Sequence, residues 1–350
     1  MTNSKLSSSD LALSDRYRRQ VSLPGFGLSA QKALAEAHVL CIGAGGLGSP
    51  ALQYLAAAGI GHITIVDDDV VELSNLHRQI IHTTDDIGKN KVDSAGAHIA
   101  AINPDMAVET HARRLDWKFA RELCARADVV FDGSDNFATR HIVSAACAQA
   151  EIPHVWGSIL GFDAQMSVFW AGHGPIYEDL YPQPPAAGQV PNCAQAGVLG
   201  PIVGIVGTTM ALEVIKIISG VGTPMIGKVG YFDGLHSNWR YFPLAANPEV
   251  TTNVKRTGPV TNEIPSVRDA AEAQATDLPL IDVREPAEFA EGHLEGARNI
   301  PLSTIRADEE YKLPSPAIVY CASGMRSAMA IELMMQRGVT GILNVRGGIL

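Results

Sequence analysis

The residue with the plainest chemistry is Cys321, in Cys321-Ala-Ser-Gly-Met-Arg-Ser327. An apolar run, Pro316-Ala-Ile-Val-Tyr320, precedes it, and a helical pattern, Ala328 to Gln336, comes after it. A strand therefore delivers Cys321 into a tight loop, and a helix begins just behind it. Loop N–H groups and the positive end of that helix stabilise a thiolate. Arg326 adds a cation nearby. The same cradle would hold the terminal anionic sulfur of a persulfide.

A second group with chemical potential lies near the N-terminus. Gly43-Ala-Gly-Gly-Leu-Gly48 comes directly after the strand pattern His38–Ile42 and opens a helix through Ala58; the next strand pattern, His62–Val66, ends in Asp67-Asp-Asp69. Strand, glycine turn, helix, strand, acid is a mononucleotide-binding βαβ unit. Gly43, Gly45, Gly46 and Gly48 permit the turn and the approach of backbone to phosphate, and the helix N-terminus faces the anion. Asp67 would bond ribose hydroxyls. This fingerprint alone suits NAD, FAD or ATP, and its bland reading is a dinucleotide dehydrogenase. Residues further along the chain change the balance. Ser74-Asn-Leu-His-Arg-Gln79, Lys91, and Asp135 in Asp132-Gly-Ser-Asp-Asn136 all fall near strand ends. Arg78 and Lys91 suit β- and γ-phosphates, and Asp135 suits Mg²⁺. Arg78 or Lys91 alone reads better as a solvated surface charge; as a spaced set these residues read as a site for adenylyl transfer, which hydride transfer does not need. The two groups together suggest ATP activation of an acid followed by sulfur delivery.

Elements and domains must position these residues. At 350 residues the chain predicts two α/β domains with ample core. Residues 1–14 read as a frayed Ser-rich end, 15–246 as the nucleotide domain, 247–262 as a linker without apolar periodicity, and 263–350 as a smaller α/β domain. That domain stops at Gly347-Gly-Ile-Leu350 without a closing helix and reads as truncated. Residues 175–191 are Pro-rich and predict a long loop, Pro201 to Ile218 a small-residue helix, Val229–Phe232 with Trp239–Phe242 an antiparallel pair, and Ser266 to Gln274 a helix. A net charge of −10 argues against nonspecific binding to nucleic acid or membrane surfaces. The longest apolar candidate, Val198 to Met210, is too short to span a bilayer. Residues 1–15 carry no signal-type apolar segment. The five cysteines, Cys41, Cys124, Cys147, Cys193 and Cys321, form no C-x-x-C pair, which predicts reduced thiols and a cytoplasmic protein. Cys41, Cys124 and Cys147 read as packing residues.

Arg16-Tyr-Arg-Arg-Gln20, the Gly43–Gly48 turn, Asp67–Asp69, Ser74–Gln79, Lys91 and Ser134-Asp-Asn136, in that order and spacing over roughly residues 10–245, resemble the MoeB/ThiF family, ancestral relatives of ubiquitin-activating enzymes. The resemblance implies a Rossmann-like adenylation domain that uses Mg²⁺ and ATP on the C-terminal glycine of a small ubiquitin-like sulfur carrier ending in Gly-Gly. It implies nucleotide contacts from Asp69, Ser74, Asn75 and Asn136, and a homodimer in which Arg19 reaches the partner subunit's ATP. The family often holds structural zinc with two C-x-x-C pairs. The matching positions here are Ile176-Tyr-Glu-Asp179 and Val250-Thr-Thr-Asn253, so no structural zinc is expected. Cys193, after the Pro-rich loop, stands where fused members place a thiol proposed to link to the carrier; the alternative is a small loop cysteine without a role.

From about Ile264 onward, Ile281-Asp-Val-Arg-Glu285, Glu288-Phe289, Gly292–Ala297, Ile300-Pro301 and the Cys321 loop resemble the rhodanese family. This implies a Cys321 persulfide loaded by a cysteine desulfurase or from thiosulfate. It implies an Asp282–Arg284 brace, and an Arg326 that binds anionic substrate or polarises the persulfide. Six residues, Cys321 to Arg326, make a loop suited to sulfur rather than phosphate. The combined expectation is carrier adenylation followed by sulfur transfer to give a thiocarboxylate. Two rivals are an NAD-dependent oxidoreductase with an appended rhodanese-like module and a noncatalytic scaffold. Molybdopterin, thiamine, cysteine and tRNA thiolation all use such carriers; the fusion resembles molybdopterin-type or multi-pathway members.

Overall fold

A computed structural model describes residues 15–184, 197–260 and 264–349. The chain divides into two compact units, the first taking the described residues up to 260 and the second those from 264.

In the first unit, short helix α1 (Arg18–Val21) and α2 (Gly27–Glu36) lead into β1 (His38–Ile42), α3 (Gly48–Ala58), β2 (His62–Val66), α4 (Lys91–Ile102) and β3 (Ala107–His111). Then come α5 (Trp117–Cys124), β4 (Val129–Asp132), α6 (Phe137–Ala150), β5 (His154–Leu160), β6 (Asp163–Phe169) and the single turn α7 (Tyr177–Leu180). Helix α8 (Gly200–Ser219), β7 (Lys228–Asp233), β8 (Asn238–Pro243) and α9 (Pro248–Thr257) complete it. The strands form one sheet in the order β3-β2-β1-β4-β5-β6-β7-β8. The first five are parallel and the rest antiparallel. β1, β2 and β4 are buried on both faces, as parallel strands between helical layers must be. Strand order reverses between β1 and β4. That leaves a crevice at their carboxyl ends, where such sheets bind ligands.

Three elements differ from the sequence reading. Residues 248–257, read as linker, form helix α9: Asn247 caps it by accepting from Glu249 N–H, Pro248 occupies its first turn, and Gly258 ends it at φ 84°. Only Val254 is buried along it, with Val250 half-buried one turn earlier, so the apolar period is too sparse to read. Ser266–Val267 is a strand, and the helix starts later, at Ala270, capped by Asp269. Helix α8 runs 20 residues and is long and apolar enough to cross a bilayer by length and composition. It buries Ile202, Val203, Val206, Met210 and Val214 in the core of this unit.

The second unit contains β9 (Ser266–Val267), α10 (Ala270–Gln274), β10 (Leu280–Asp282), α11 (Pro286–Glu291) and β11 (Arg298–Asn299), then α12 (Leu302–Ala307), β12 (Ala317–Tyr320), α13 (Met325–Gln336) and β13 (Ile342–Val345). Its parallel sheet has the order β11-β10-β12-β13-β9. The fully buried strand β12 is central, so its carboxyl end, carrying Cys321, is held by sheet on both sides.

Candidate active sites

The crevice between β1 and β4 opens into a cavity of about 360 Å³. Gly43, Gly45, Gly46, Asp67, Asp69, Arg78, Lys91, Asp135 and Asn136 all line it, so most of the residues singled out from spacing converge on one space. Gly48 stands behind the wall as the first residue of α3; a Cβ there would lie 2.1 Å from Gly43 O, so only glycine lets the turn close. Asp67 turns inward: its Oδ2 accepts from Ala44 N–H at 2.8 Å and its Oδ1 from Asp69 N–H at 2.9 Å. Burial pushes its carboxyl up, against the opposing pull of Lys91 and these N–H groups. Asp67 thus already braces the glycine turn, whatever it does for a ribose. Lys91, buried at the start of α4, reaches Asp69 at 2.7 Å. Arg78 Nη1 donates to Ser74 O at 3.1 Å. Ser74 and Asn75 do not line the cavity; the turn they form anchors Arg78. Asn136 caps α6 by accepting from Thr139 N–H, leaving Asp135 exposed at the mouth. Asp132 beneath it is buried, which raises its pKa, but His154 at 2.9 Å and Ser134 N–H outweigh that and hold it below the usual carboxylate range. Arg19 lies exposed on α1 and does not line the cavity. Cys193 lies outside the described residues.

The sequence reading missed several lining residues. Arg114 comes from the segment after β3, and Ser158 from β5. Arg140, on α6, is buried and donates to Ser134 O and Ser158 Oγ. These are single side chains on separate elements, with no local motif to mark them. Gln79 sits within a motif already noted, and is buried beside Gly45.

The second site is the turn after β12. Cys321 is 0 % exposed. Burial raises its pKa, but Ser327 Oγ, donating at 3.5 Å, and the N–H groups of Ser327, Ser323 and Arg326 outweigh it and leave the thiol below its ordinary value. The strand–loop–helix cradle expected from the sequence therefore favours thiolate. Arg326, the cation expected beside the loop, pairs its guanidinium bidentately with Glu288, at 2.6 and 2.7 Å. Glu288 is held down at about 2 by that pairing. Asp282 and Arg284 form a buried pair at 2.7 Å, and Arg284 also donates to Gly292 O, so they tie the β10 end to the turn at Gly292. The terminal turn closes the loop from behind: Ile349 N–H donates to Cys321 O and Ala322 O. At Gly348, with φ +75°, a Cβ would fall 2.1 Å from Ala322 O. Cys41, Cys124 and Cys147 are buried packing residues, and burial pushes Cys41 and Cys147 well up in pKa.

Comparison with known proteins gives a family for each of the two units. The ThiF family model matches residues 17–253 and the rhodanese-like domain model residues 266–350. The chain is 41 % identical over 358 residues to the "Probable adenylyltransferase/sulfurtransferase MoeZ" of Mycobacterium tuberculosis, covering 96 % of this chain and 91 % of that protein. It is 41 % identical over 266 residues to the "Sulfur carrier protein adenylyltransferase" of Thermus thermophilus, covering 75 % and 95 %. The crystal structure of E. coli MccB with MccA-N7isoASN shares the fold at TM-score 0.61 and 22 % identity, over 70 % of this chain and 74 % of that one. These matches support adenylation with sulfur transfer and give no support to the oxidoreductase alternative. The chain belongs to the ThiF family, carries a rhodanese-like domain after it, and is an adenylyltransferase and sulfurtransferase.

Proposed function

We propose that the first unit adenylates the C-terminal glycine of a small ubiquitin-like carrier ending in Gly-Gly, and that a Cys321 persulfide then turns the acyl-adenylate into a thiocarboxylate. One observation carries the reading: the glycine turn, Arg78, Lys91 and Asp135 share a single cavity at the switch point of the sheet. The carrier carboxylate attacks the α-phosphorus of ATP and pyrophosphate leaves. Arg78 and Lys91 offset the charge gathering on it. Asp135 would hold Mg²⁺, which when bound neutralises further phosphate charge. The terminal sulfur of the persulfide attacks the acyl carbon, AMP leaves, and an acyl disulfide to Cys321 forms. A second thiol, for which Cys193 is our candidate, attacks Cys321 Sγ; the thiocarboxylate leaves and a protein disulfide remains for a cellular dithiol to reduce. A protein persulfide of the kind made by a cysteine desulfurase, or thiosulfate, loads Cys321. A molybdopterin-type carrier fits the domain fusion, and the reduced thiols fit the cytoplasm.

Zinc has no part in this reading. At the positions where relatives place thiolates, Ile176 packs with Val254 and Val250, and Asp179 accepts from Asn247 N–H at 3.0 Å. We also assign a homodimer with Arg19 acting in trans. Its support is an apolar surface around α3 and α8 that includes exposed Tyr54, Ile80 and Ile205.

The test is ATP–pyrophosphate exchange dependent on a diglycine-ended carrier. Cys321→Ala is expected to keep exchange and lose thiocarboxylate. Normal thiocarboxylate formation by that variant would remove Cys321 as donor; absence of exchange with every carrier offered would remove the whole reading.

A further inference from the structure

His82 is buried between the glycine turn and α4, and neither motif absorbs it. Its Nε2 lies 3.0 Å from Ala44 O, and its Nδ1 lies 2.8 Å from Ser94 Oγ. A carbonyl only accepts, so Nε2 carries the proton and Nδ1 accepts from the Ser94 hydroxyl. Ala44 is therefore gripped at both ends, its N–H by Asp67 Oδ2 and its carbonyl by His82. Ser94 lies one turn along α4 from Lys91. The imidazole is thus a strut of fixed length between the turn that approaches phosphate and the helix that carries the phosphate-facing lysine.

We propose that His82 is a positioning residue for the nucleotide: in its neutral Nε2–H form it sets the orientation of the Ala44 peptide and the spacing between the glycine turn and Lys91. The proposal rests on the reading of this cavity as an ATP site. A doubly protonated ring would reverse the Ser94 bond, with Nδ1–H donating to the hydroxyl oxygen. The charged groups facing His82 are Lys91, Asp86 and His98. Burial, the largest influence, keeps the ring below its ordinary pKa; Lys91 and His98 push the same way, and Asp86 opposes them.

The experiment measures binding of Mg-ATP to the full-length protein by calorimetry at neutral pH, with no carrier present, for wild type, His82→Gln and His82→Asn. Glutamine places an amide donor near the position of Nε2, whereas asparagine cannot reach Ala44 O. Loss of a buried hydrogen bond predicts an increase in Kd of about tenfold in His82→Asn at neutral pH, and rescue to within about threefold in His82→Gln. Equal Kd in all three proteins overturns the proposal, as does equal weakening in both variants, which would mark His82 as packing alone. Absence of ATP binding by the wild type would instead sink the reading of the cavity itself.

Discussion

At the scale of single residues, both sites pair a cation with a carboxylate, Lys91 with Asp69 in the cavity and Arg326 with Glu288 beside the Cys321 loop. At the loop, hydrogen-bond donors also favour the thiolate. Ser327 is the side chain among those donors. Because it lowers the Cys321 pKa, the thiolate is present above that lowered value and is lost as pH falls through it. Removing the hydroxyl in Ser327→Ala should move the titration to higher pH and cut sulfurtransferase activity at neutral pH about threefold to tenfold. Ultraviolet absorbance of the thiolate, read against a Cys321→Ala control, checks this; an unmoved curve would leave the backbone N–H groups as sufficient. Residues at this scale were legible when a short motif carried them. Gly43–Gly48, Arg78, Lys91 and Asp135 each stand beyond a strand end in local sequence, whereas Arg114 and Arg140 become neighbours of the site only through the sheet order. The pairing of Arg326 with Glu288 spans 38 positions, which no local pattern announces.

At the scale of elements, strands β1, β2 and β12 and helix α8 were readable from apolar runs, whereas parallel strands β3 and β5, helix α4 and the short polar elements were not. Helix α9 shows why: its cap, its proline and its terminal glycine are in the sequence, but a single buried valine defines its inner face. Its packing has a consequence for stability. Turn α7 beside it is tied by Glu178, whose Oε1 lies 2.8 Å from His141 Nδ1 and whose Oε2 accepts from Ser144 Oγ at 2.6 Å. All three residues are buried. Glu178→Ala would strip two buried groups of their acceptor and should cost about 2–4 kcal/mol, measured as denaturant midpoint. A chelator should leave the same midpoint of the wild type unchanged. A large chelator effect, or a neutral Glu178→Ala, would show that something other than this network pins the turn.

At the scale of the whole molecule, the open question is how α1 contributes. It is mounted rigidly for so short a helix: Gln20 donates to Ala58 O and Gln31, Tyr17 OH accepts from Asn103, and the Tyr17 ring fills the space beside Gly59. Yet Arg19 points no group into its own cavity wall. A fixed mount presenting an exposed arginine makes sense if the target lies on a second copy, and the apolar surface of α3 and α8 offers a face for that copy. Trans action makes a quantitative prediction. Arg19→Ala spoils only the partner's site, and Asp135→Ala spoils only its own, so each homodimer should be inactive in carrier-dependent exchange. Mixed after subunit exchange, about half of the dimers are heterologous and each contains one intact site, which restores about a quarter of wild-type activity. Tyr54→Glu should yield monomers by sedimentation and abolish exchange in parallel. If the mixture stays inactive while sedimentation shows mixed dimers, Arg19 serves its own subunit and the dimer is not part of the catalytic unit.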